Sequence, residues 1–241
     1  MTEEGPSIAE RVAAIRARIE EACRRAGRDA GEVRLLAVTK NVIPEQVEEA
    51  AACGVQCFGE NRVQEARQKI PLCPDSLEWH FIGHLQTNKV RDAVRLFRMI
   101  HSVDSERLLR AVDAACGAEG VRLPVCIEVN IGGEGTKYGA PPASVPALVT
   151  LANELVNVTC AGLMAIPPPR ETVEEVRPFF RRLRLLRDEC RAASGAALPE
   201  LSMGMSGDFE VAIEEGATWI RVGTALFGPR RRISDGGWGE T

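Results

Sequence analysis

A lysine follows directly on an apolar, β-branched run near the start of the chain. Residues 33–40 read VRLLAVTK, and the helix signal Val-Ile-Pro-Glu follows at once. If the run is a strand, Leu36, Val38 and Lys40 share one face, because strand side chains alternate. Burying a lysine cation in such a face is costly, so desolvation would favour the neutral, nucleophilic amine that forms Schiff bases. The alternative is a lysine at a strand end whose ammonium reaches solvent.

Two glycine-bearing openings near the end of the chain have the composition of an anion site. Met205-Ser206-Gly207 opens a predicted helix that Ser206 would cap, and Gly223-Thr224 opens a short turn after the next strand. Backbone amides and the positive end of a helix attract anions such as phosphate. In an eight-stranded β/α barrel, the loops after strands seven and eight form the usual phosphate site. The alternative is an ordinary serine cap and glycines that merely permit the turns.

An arginine lies within the last predicted strand. In ATWIRV, residues 217–222, Arg221 shares a face with Trp219, and the opposite face is apolar. The apolar face should pack on helices, so Arg221 should point into a barrel, where a donor-only guanidinium needs an acceptor. A ring nitrogen, a phosphate or a carboxylate would serve. Glu128, predicted to point inward from another strand, offers a purely structural partner.

The order of predicted elements indicates one parallel β/α architecture. A capped helix over 7–26 comes first, and strand-like and helix-like runs then alternate. The predicted strands are 33–39, 55–58, 78–83, 99–103, 123–130, 159–165, 199–203 and 217–222, and the helices are 44–53, 61–70, 86–97, 105–118, 143–156, 172–193 and 207–215. Pro178 either kinks the helix over 172–193 or marks its true start.

Such a series fits a closed (β/α)₈ barrel or an open doubly wound sheet. Polar residues recur near the ends of different strands, where a barrel keeps its active site, and this favours the barrel. They are Lys40, Glu60, Asn61, His84, Asp104, Asn130, Ser206 and Arg221. We expect a single barrel over 1–228 and a polar tail over 229–241.

The composition excludes several other classes of protein. A net charge of -4 gives no basic field for nucleic acid or an acidic membrane. No run reaches the roughly 20 apolar residues of a membrane span. The eight cysteines have no metal-binding spacing. Free thiols without a signal peptide indicate a cytoplasmic protein.

The motifs together resemble the pyridoxal 5′-phosphate (PLP) homeostasis protein family. The matching segments cover nearly the whole chain in order: LLAVTK (35–40), CFGENRVQEA (57–66), WHFIGHLQTNK (79–89), IHSVDS (100–105), EVNIGGEGTKYG (128–139), GLMAI (162–166), LSMGMSGDFEVAI (201–213) and IRVGTALFG (220–228). The resemblance implies a single (β/α)₈ TIM barrel of the alanine racemase N-terminal domain type, preceded by an extra helix.

Residue by residue, the resemblance implies a PLP site. Lys40 matches the lysine that forms the PLP aldimine, and Arg221 matches the arginine that hydrogen-bonds the pyridine nitrogen. Lys137 lies in the family's Lys-x-Gly motif, which suggests a role in handing PLP on. The other cofactor-binding residues implied are Asn61, His84, Met205, Ser206, Gly207, Gly223 and Thr224.

The resemblance also implies a carrier of PLP. Alanine racemase takes a second base, a tyrosine, from a separate C-terminal domain, whereas this chain is used up by the barrel and its one tyrosine, Tyr138, is expected in a loop. An arginine donates to the pyridine nitrogen but accepts no proton, so the ring should be a weak electron sink. We expect a monomer that buffers or delivers PLP, meets apo PLP-dependent enzymes transiently and lacks strong catalysis. The alternatives are a slow PLP-dependent amino-acid racemase and a module that docks on PLP enzymes.

Overall fold

Parallel strands close into a barrel in sequence order. A computed structural model describes residues 5–134 and 138–229 of the chain. The strands in these ranges are β1 (Arg34–Val38), β2 (Cys57–Glu60), β3 (Glu78–Phe81), β4 (Met99–Val103), β5 (Leu123–Glu128), β6 (Val158–Met164), β7 (Glu200–Met205) and β8 (Trp219–Val222). Each pairs in parallel with its neighbours along the chain, and β1 pairs with β8. The closed barrel is therefore confirmed, and the open sheet is excluded.

Helices cover the outside of the barrel. In the described ranges they are α1 (Ile8–Ala26), α2 (Pro44–Ala52), α3 (Val63–Lys69), α4 (Val90–Leu96), α5 (Glu106–Glu119), α6 (Val145–Glu154), α7 (Arg177–Ser194), α8 (Phe209–Glu214) and α9 (Thr224–Phe227). The predicted extra helix, α1, begins at a capping box formed by Ser7 and Glu10 and ends at Gly27, which has a left-handed conformation. Its buried face packs on α2, α8 and α9, so it lies over the seam between β8 and β1.

Pro178 marks the start of α7. The helix begins at Arg177, with the proline in its first turn, where a missing amide hydrogen costs nothing. The predicted start at Thr172 was wrong, although its hydroxyl lies 3.0 Å from Glu175 Oε1. These two residues form a local contact in the loop before the helix.

Side chains alternate between two cores. Outward residues such as Phe58, Phe81 and Ile220 belong to the main apolar core between strands and helices. The barrel interior holds a small separate apolar cluster of Met99, Cys126 and Met164. Beside this cluster the interior holds the buried polar side chains His80, His101, Ser202 and Arg221. A barrel whose interior is filled by side chains can present a site only at its ends.

Three further properties concern the state of the cysteines, metal binding and membrane crossing. All eight cysteines are free thiols. Within the described ranges, no group of histidine, cysteine or acidic side chains is arranged to hold a metal ion. In the same ranges, no helix combines the length and the apolar character that crossing a membrane requires.

Candidate functional site

A cavity of about 500 Å³ opens at the carboxyl ends of the strands. Its volume lies within the usual range of ligand sites, about 300–1,000 Å³. All the predicted cofactor-binding residues line it: Lys40, Asn61, His84, Met205, Ser206, Gly207, Arg221, Gly223 and Thr224. The remaining wall consists of Val38, Ile82, Gly83, Glu128, Tyr138 and Ile166. Glu60, Asp104 and Asn130, which also follow strands, do not line it.

Lys40 lies in a turn immediately after β1. The strand ends at Val38, Thr39 is buried and Lys40 is half-buried. Asn41 has a φ of 58°, a left-handed conformation that surrounding contacts must hold. Among the described residues, none forms a hydrogen bond or an ion pair with the Lys40 amine. The amine is therefore presented to the cavity without a partner from this part of the chain.

A second lysine, fully buried, lies behind this turn. Lys69 Nζ donates hydrogen bonds to the Thr39 carbonyl at 2.6 Å, to Glu60 Oε1 at 2.6 Å and to Glu65 Oε1 at 2.9 Å. Glu60 points away from the cavity, because Phe58, two residues before it on β2, faces the outer core. Burial raises the pKa of Glu60, and the Lys69 charge partly opposes this. The ammonium thus bonds one oxygen of each carboxylate in the outer core, while Glu60 Oε2 has no hydrogen-bond partner among the described residues.

The same carboxylates bond the residues on both sides of Lys40. Glu65 Oε1 accepts from the Asn41 amide at 2.8 Å, and the Thr39 hydroxyl donates to Glu60 Oε1 at 2.6 Å. We call this group the Lys69 cluster; it consists of Thr39, Asn41, Glu60, Glu65 and Lys69. Since it anchors the backbone before and after Lys40, it fixes the point from which the amine enters the cavity.

Four backbone amides lie in the part of the cavity that is predicted to hold a phosphate. The amides of Ser206, Gly207, Gly223 and Thr224 donate to no acceptor among the described residues. Neighbouring free amides attract an anion even without a long helix, and α8 and α9 are both short. At Gly207 there is also room, since a Cβ would meet nothing within 4 Å. The position predicted for a phosphate therefore has backbone N–H donors that bond to no acceptor among the described residues.

Ser206 does not cap α8, and this prediction was wrong. The helix begins at Phe209, two residues later than a cap at Ser206 would require, and Asp208 precedes it. Asp208 Oδ1 accepts from the Met205 amide at 2.5 Å. The Ser206 hydroxyl instead accepts from the Ala225 amide at 3.2 Å. It therefore joins the loop after β7 to the turn after β8, the two segments that carry the free amides.

Arg221 points into the barrel, as predicted. Its side chain is buried, with Nη1 donating to Ser202 Oγ at 2.9 Å and Nη2 to the Ala165 carbonyl at 3.0 Å. Burial lowers the pKa of Arg221 to about 10, so it stays protonated at neutral pH. A guanidinium has five N–H donors, and these two bonds leave others for a ligand. No ion pair joins Arg221 to Glu128 in the described part of the chain, so its partners are neutral oxygens.

Glu128 is a buried carboxyl group in the wall of the cavity. Burial raises its pKa to about 7, the charge of Asp104 adds to this rise, and Arg221 opposes it. Glu128 lies in the cavity wall, which confirms the prediction that it points into the barrel. At neutral pH it is partly protonated and can both donate and accept a hydrogen bond.

An aromatic stack forms one side of the mouth. The rings of His84 and Tyr138 lie 3.8 Å apart and nearly parallel, at 12°. His84 Nδ1 lies 3.6 Å from Asp104 Oδ2, beyond hydrogen-bond distance. Tyr138 is 60% exposed and lies in the loop after β5, as expected, but it also lines the cavity that contains Lys40. The stack separates this cavity from a neighbouring cleft of about 730 Å³.

Asn61 offers an unused acceptor. Its Oδ1 is buried and has no hydrogen-bond partner among the described residues. Such atoms are rare in folded proteins and are usually satisfied by a ligand or water. The backbone of Asn61 is held close to Gly83, where a Cβ would stand 2.2 Å from the Asn61 carbonyl oxygen. Only glycine permits this approach of the two strand ends.

Sequence reasoning missed His80, His101 and Ser202, which lie beneath Arg221. Histidines in the middle of apolar strands, as in EWHF and MIHSV, were the available signal. Lys137 and all but the first residue of the predicted tail over 229–241 lie outside the described residues.

Replacing Lys69 should destabilise the fold. We expect Lys69→Met to lower the free energy of unfolding by about 3–5 kcal/mol, because Glu60 and Glu65 lose their buried counter-charge. Urea unfolding measures the change. Arg67→Met, on the same helix, removes an exposed partner of Asp92 and should change stability by less than about 1 kcal/mol. Equal, small effects in both variants would contradict the assigned role of the Lys69 cluster.

Stability should depend on pH through Glu128. Between its ordinary pKa of 4.5 and its folded value of about 7, the folded protein retains a proton that the unfolded chain releases. Wild-type stability therefore falls as pH rises through this window, and Glu128→Gln lacks this loss. We expect the stability of the variant relative to wild type to rise by up to about 3 kcal/mol from pH 4.5 to 7. Glu20→Gln, at an exposed position, is the control; a pH-independent difference for Glu128→Gln would refute the prediction.

Comparison with known proteins identifies the family of this chain. Residues 11–231 match the family described as "Alanine racemase, N-terminal domain". A pyridoxal phosphate homeostasis protein of Aquifex aeolicus is 49% identical over 223 residues, which cover 92% of this chain and 98% of that protein. One from Escherichia coli K12 is 38% identical over 232 residues, covering 92% of this chain and 97% of that protein.

Comparison with solved structures supports the same family. PipY of Synechococcus elongatus is 40% identical and covers 92% of this chain and 100% of its own, with a TM-score of 0.84 without PLP and 0.81 with PLP bound. D-threonine aldolase of Filomicrobium marinum, at 17% identity and a TM-score of 0.70, shares the fold alone. With these relatives and the geometry of its cavity, the chain belongs to the pyridoxal phosphate homeostasis protein family, built on the alanine racemase N-terminal domain.

Proposed function

We propose that this protein binds PLP at Lys40 and buffers or delivers it in the cell, without a strong catalytic cycle of its own. The observation that carries the proposal is one cavity lined by a buried guanidinium, an amine and four backbone amides, with no partner among the described residues for the amine or the amides. PLP presents an aldehyde, a ring nitrogen and a phosphate, which match these groups in chemistry. PipY of Synechococcus elongatus, which is 40% identical to this chain, has been solved with PLP bound.

Each part of the cavity has a task in this proposal. Bound PLP supplies an aldehyde that condenses with a primary amine and releases water, and the Lys40 amine is the group placed to react. The amides around Ser206, Gly207, Gly223 and Thr224 hold the phosphate. Arg221 donates to the ring nitrogen. Asn61, His84 and Met205 line the remaining contact surface.

The hydrogen-bonding chemistry of Arg221 favours a carrier of PLP over an enzyme that uses it. A guanidinium held by two neutral oxygens keeps its protons and only donates, so it does not supply the protonated ring that strong electron withdrawal needs. The named relatives are homeostasis proteins. Apo PLP-dependent enzymes are the proposed transient recipients. The monomeric state and the cytoplasmic location stay predictions.

Covalent capture of PLP should occur at Lys40. The lysines of the chain are Lys40, Lys69, Lys89 and Lys137, so borohydride reduction and peptide mass mapping can assign the adduct. We expect a visible absorption band with added PLP in wild type and the reduced adduct on Lys40. Lys40→Ala should lose both, whereas Lys89→Ala, which removes an amine from the neighbouring cleft, should keep both. A band of equal strength in Lys40→Ala would overturn the proposal.

A slow amino-acid racemase is the second candidate. The observation that favours it is Tyr138, a possible second base that lines the same cavity as Lys40. The test is exchange of the α-hydrogen of alanine for deuterium, followed by mass spectrometry. The carrier proposal predicts no exchange above that of free PLP. Exchange that disappears in both Lys40→Ala and Tyr138→Phe would establish the racemase.

A further inference from the structure

A line of polar side chains crosses the barrel interior below the cavity. Arg221 Nη1 lies 2.9 Å from Ser202 Oγ, and Ser202 Oγ lies 2.8 Å from His101 Nδ1. His101 Nε2 lies 3.0 Å from His80 Nδ1. All four side chains are buried, with at most 4% of each residue exposed. We call this series the histidine chain; it consists of His80, His101, Ser202 and Arg221.

Arg221 sets the direction of the first bond in the histidine chain. A guanidinium only donates, so Ser202 Oγ is the acceptor of the first bond. The Ser202 hydroxyl then has one proton to donate, and His101 Nδ1 is the acceptor within reach. In this arrangement His101 carries its proton on Nε2, which donates to His80 Nδ1. In the reverse arrangement, with His101 Nδ1 donating to Ser202 Oγ, the Ser202 hydroxyl proton would have no acceptor within the histidine chain.

The surroundings keep both histidines neutral, as this arrangement requires. Burial lowers the pKa of His80 to about 4, and burial, with the charges of His80 and Arg221, lowers that of His101 well below its ordinary value. The Trp219 ring packs edge-on against both imidazoles, with centroids 4.8 Å from His80 and 5.9 Å from His101.

Only the Arg221 end of the histidine chain faces the cavity. Arg221 lines the cavity wall, whereas His80 pairs in register with Met99, which belongs to the apolar cluster inside the barrel. Apolar side chains would fill this space without the cost of burying polar groups. A connected polar series has one effect that apolar packing lacks: it fixes the rotation of the guanidinium and so the direction of its remaining N–H bonds.

We propose that Ser202, His101 and His80 are positioning residues that hold the Arg221 guanidinium in the orientation that recognises a ring-nitrogen acceptor in the ligand. This inference rests on the proposed function, since the ligand with the ring nitrogen is PLP. If the histidine chain has this role, the protein should strongly prefer PLP over an analogue of the same shape that lacks the ring-nitrogen acceptor.

The test compares PLP with 1-deaza-PLP, in which a C–H group replaces the ring nitrogen. Dissociation constants for both are measured on wild type, Ser202→Ala, His101→Leu, His101→Gln and Met99→Ala. We expect wild type to prefer PLP by about tenfold or more, as one hydrogen bond from a charged donor provides. Ser202→Ala and His101→Leu should lose most of this preference. His101→Gln should keep much of it, because its amide can accept from Ser202 and donate to His80.

Met99→Ala is the matched control for loss of packing. It enlarges the barrel interior beside His80 without removing a member of the chain, so it should lower stability and keep the preference. A preference unchanged in Ser202→Ala and His101→Leu, or absent in wild type that binds both ligands, would overturn the inference and leave the proposed function intact. Should His101→Leu fail to fold, Ser202→Ala, which removes one oxygen atom, decides alone. Wild type that binds neither ligand would overturn the inference together with the proposed function.

Discussion

Closure of the barrel by β1 and β8 is the constraint on which the site depends. The register of this pair sets Leu36 opposite Arg221 and Ala37 opposite Val222. The turn that carries Lys40 therefore lies beside the turn that opens at Gly223, although nearly the whole chain separates them. Parallel pairing also brings the carboxyl ends of all strands to one mouth. Without this seam, the amine, the guanidinium and the free amides would not share a cavity.

Two buried polar networks support the two basic side chains that face the cavity, Lys40 and Arg221, and they lie on opposite sides of the sheet. The Lys69 cluster holds the backbone around Lys40 from the outer core, and the histidine chain holds Arg221 from the barrel interior. Both place ionisable groups where apolar residues would be cheaper, since desolvation opposes buried charge. Natural proteins accept such costs where a functional group has to be held in one geometry.

The order of strands and helices could be predicted from the sequence, because alternating and helical patterns are local. The nine implied residues share one cavity, while their part in binding stays a prediction. Ser206 and Asp208 are both good helix caps two residues apart, so the sequence alone does not decide between them. Lys69 occupies a charged helix that resembles a solvated one, and its burial depends on β2 and the turn after β1. The histidine chain depends on the pairing of distant strands, which no single segment contains.

The position of α1 has a consequence for biosynthesis. Among the described elements this helix is synthesised first, yet it packs on the late elements α8 and α9, over the seam that β8 closes. A growing chain exposes its N-terminal segments long before these partners leave the ribosome. Contacts between such distant segments also slow folding. The ligand cavity is therefore completed only after synthesis of β8 and the turn that follows it, so a chain that ends before these segments holds no finished site.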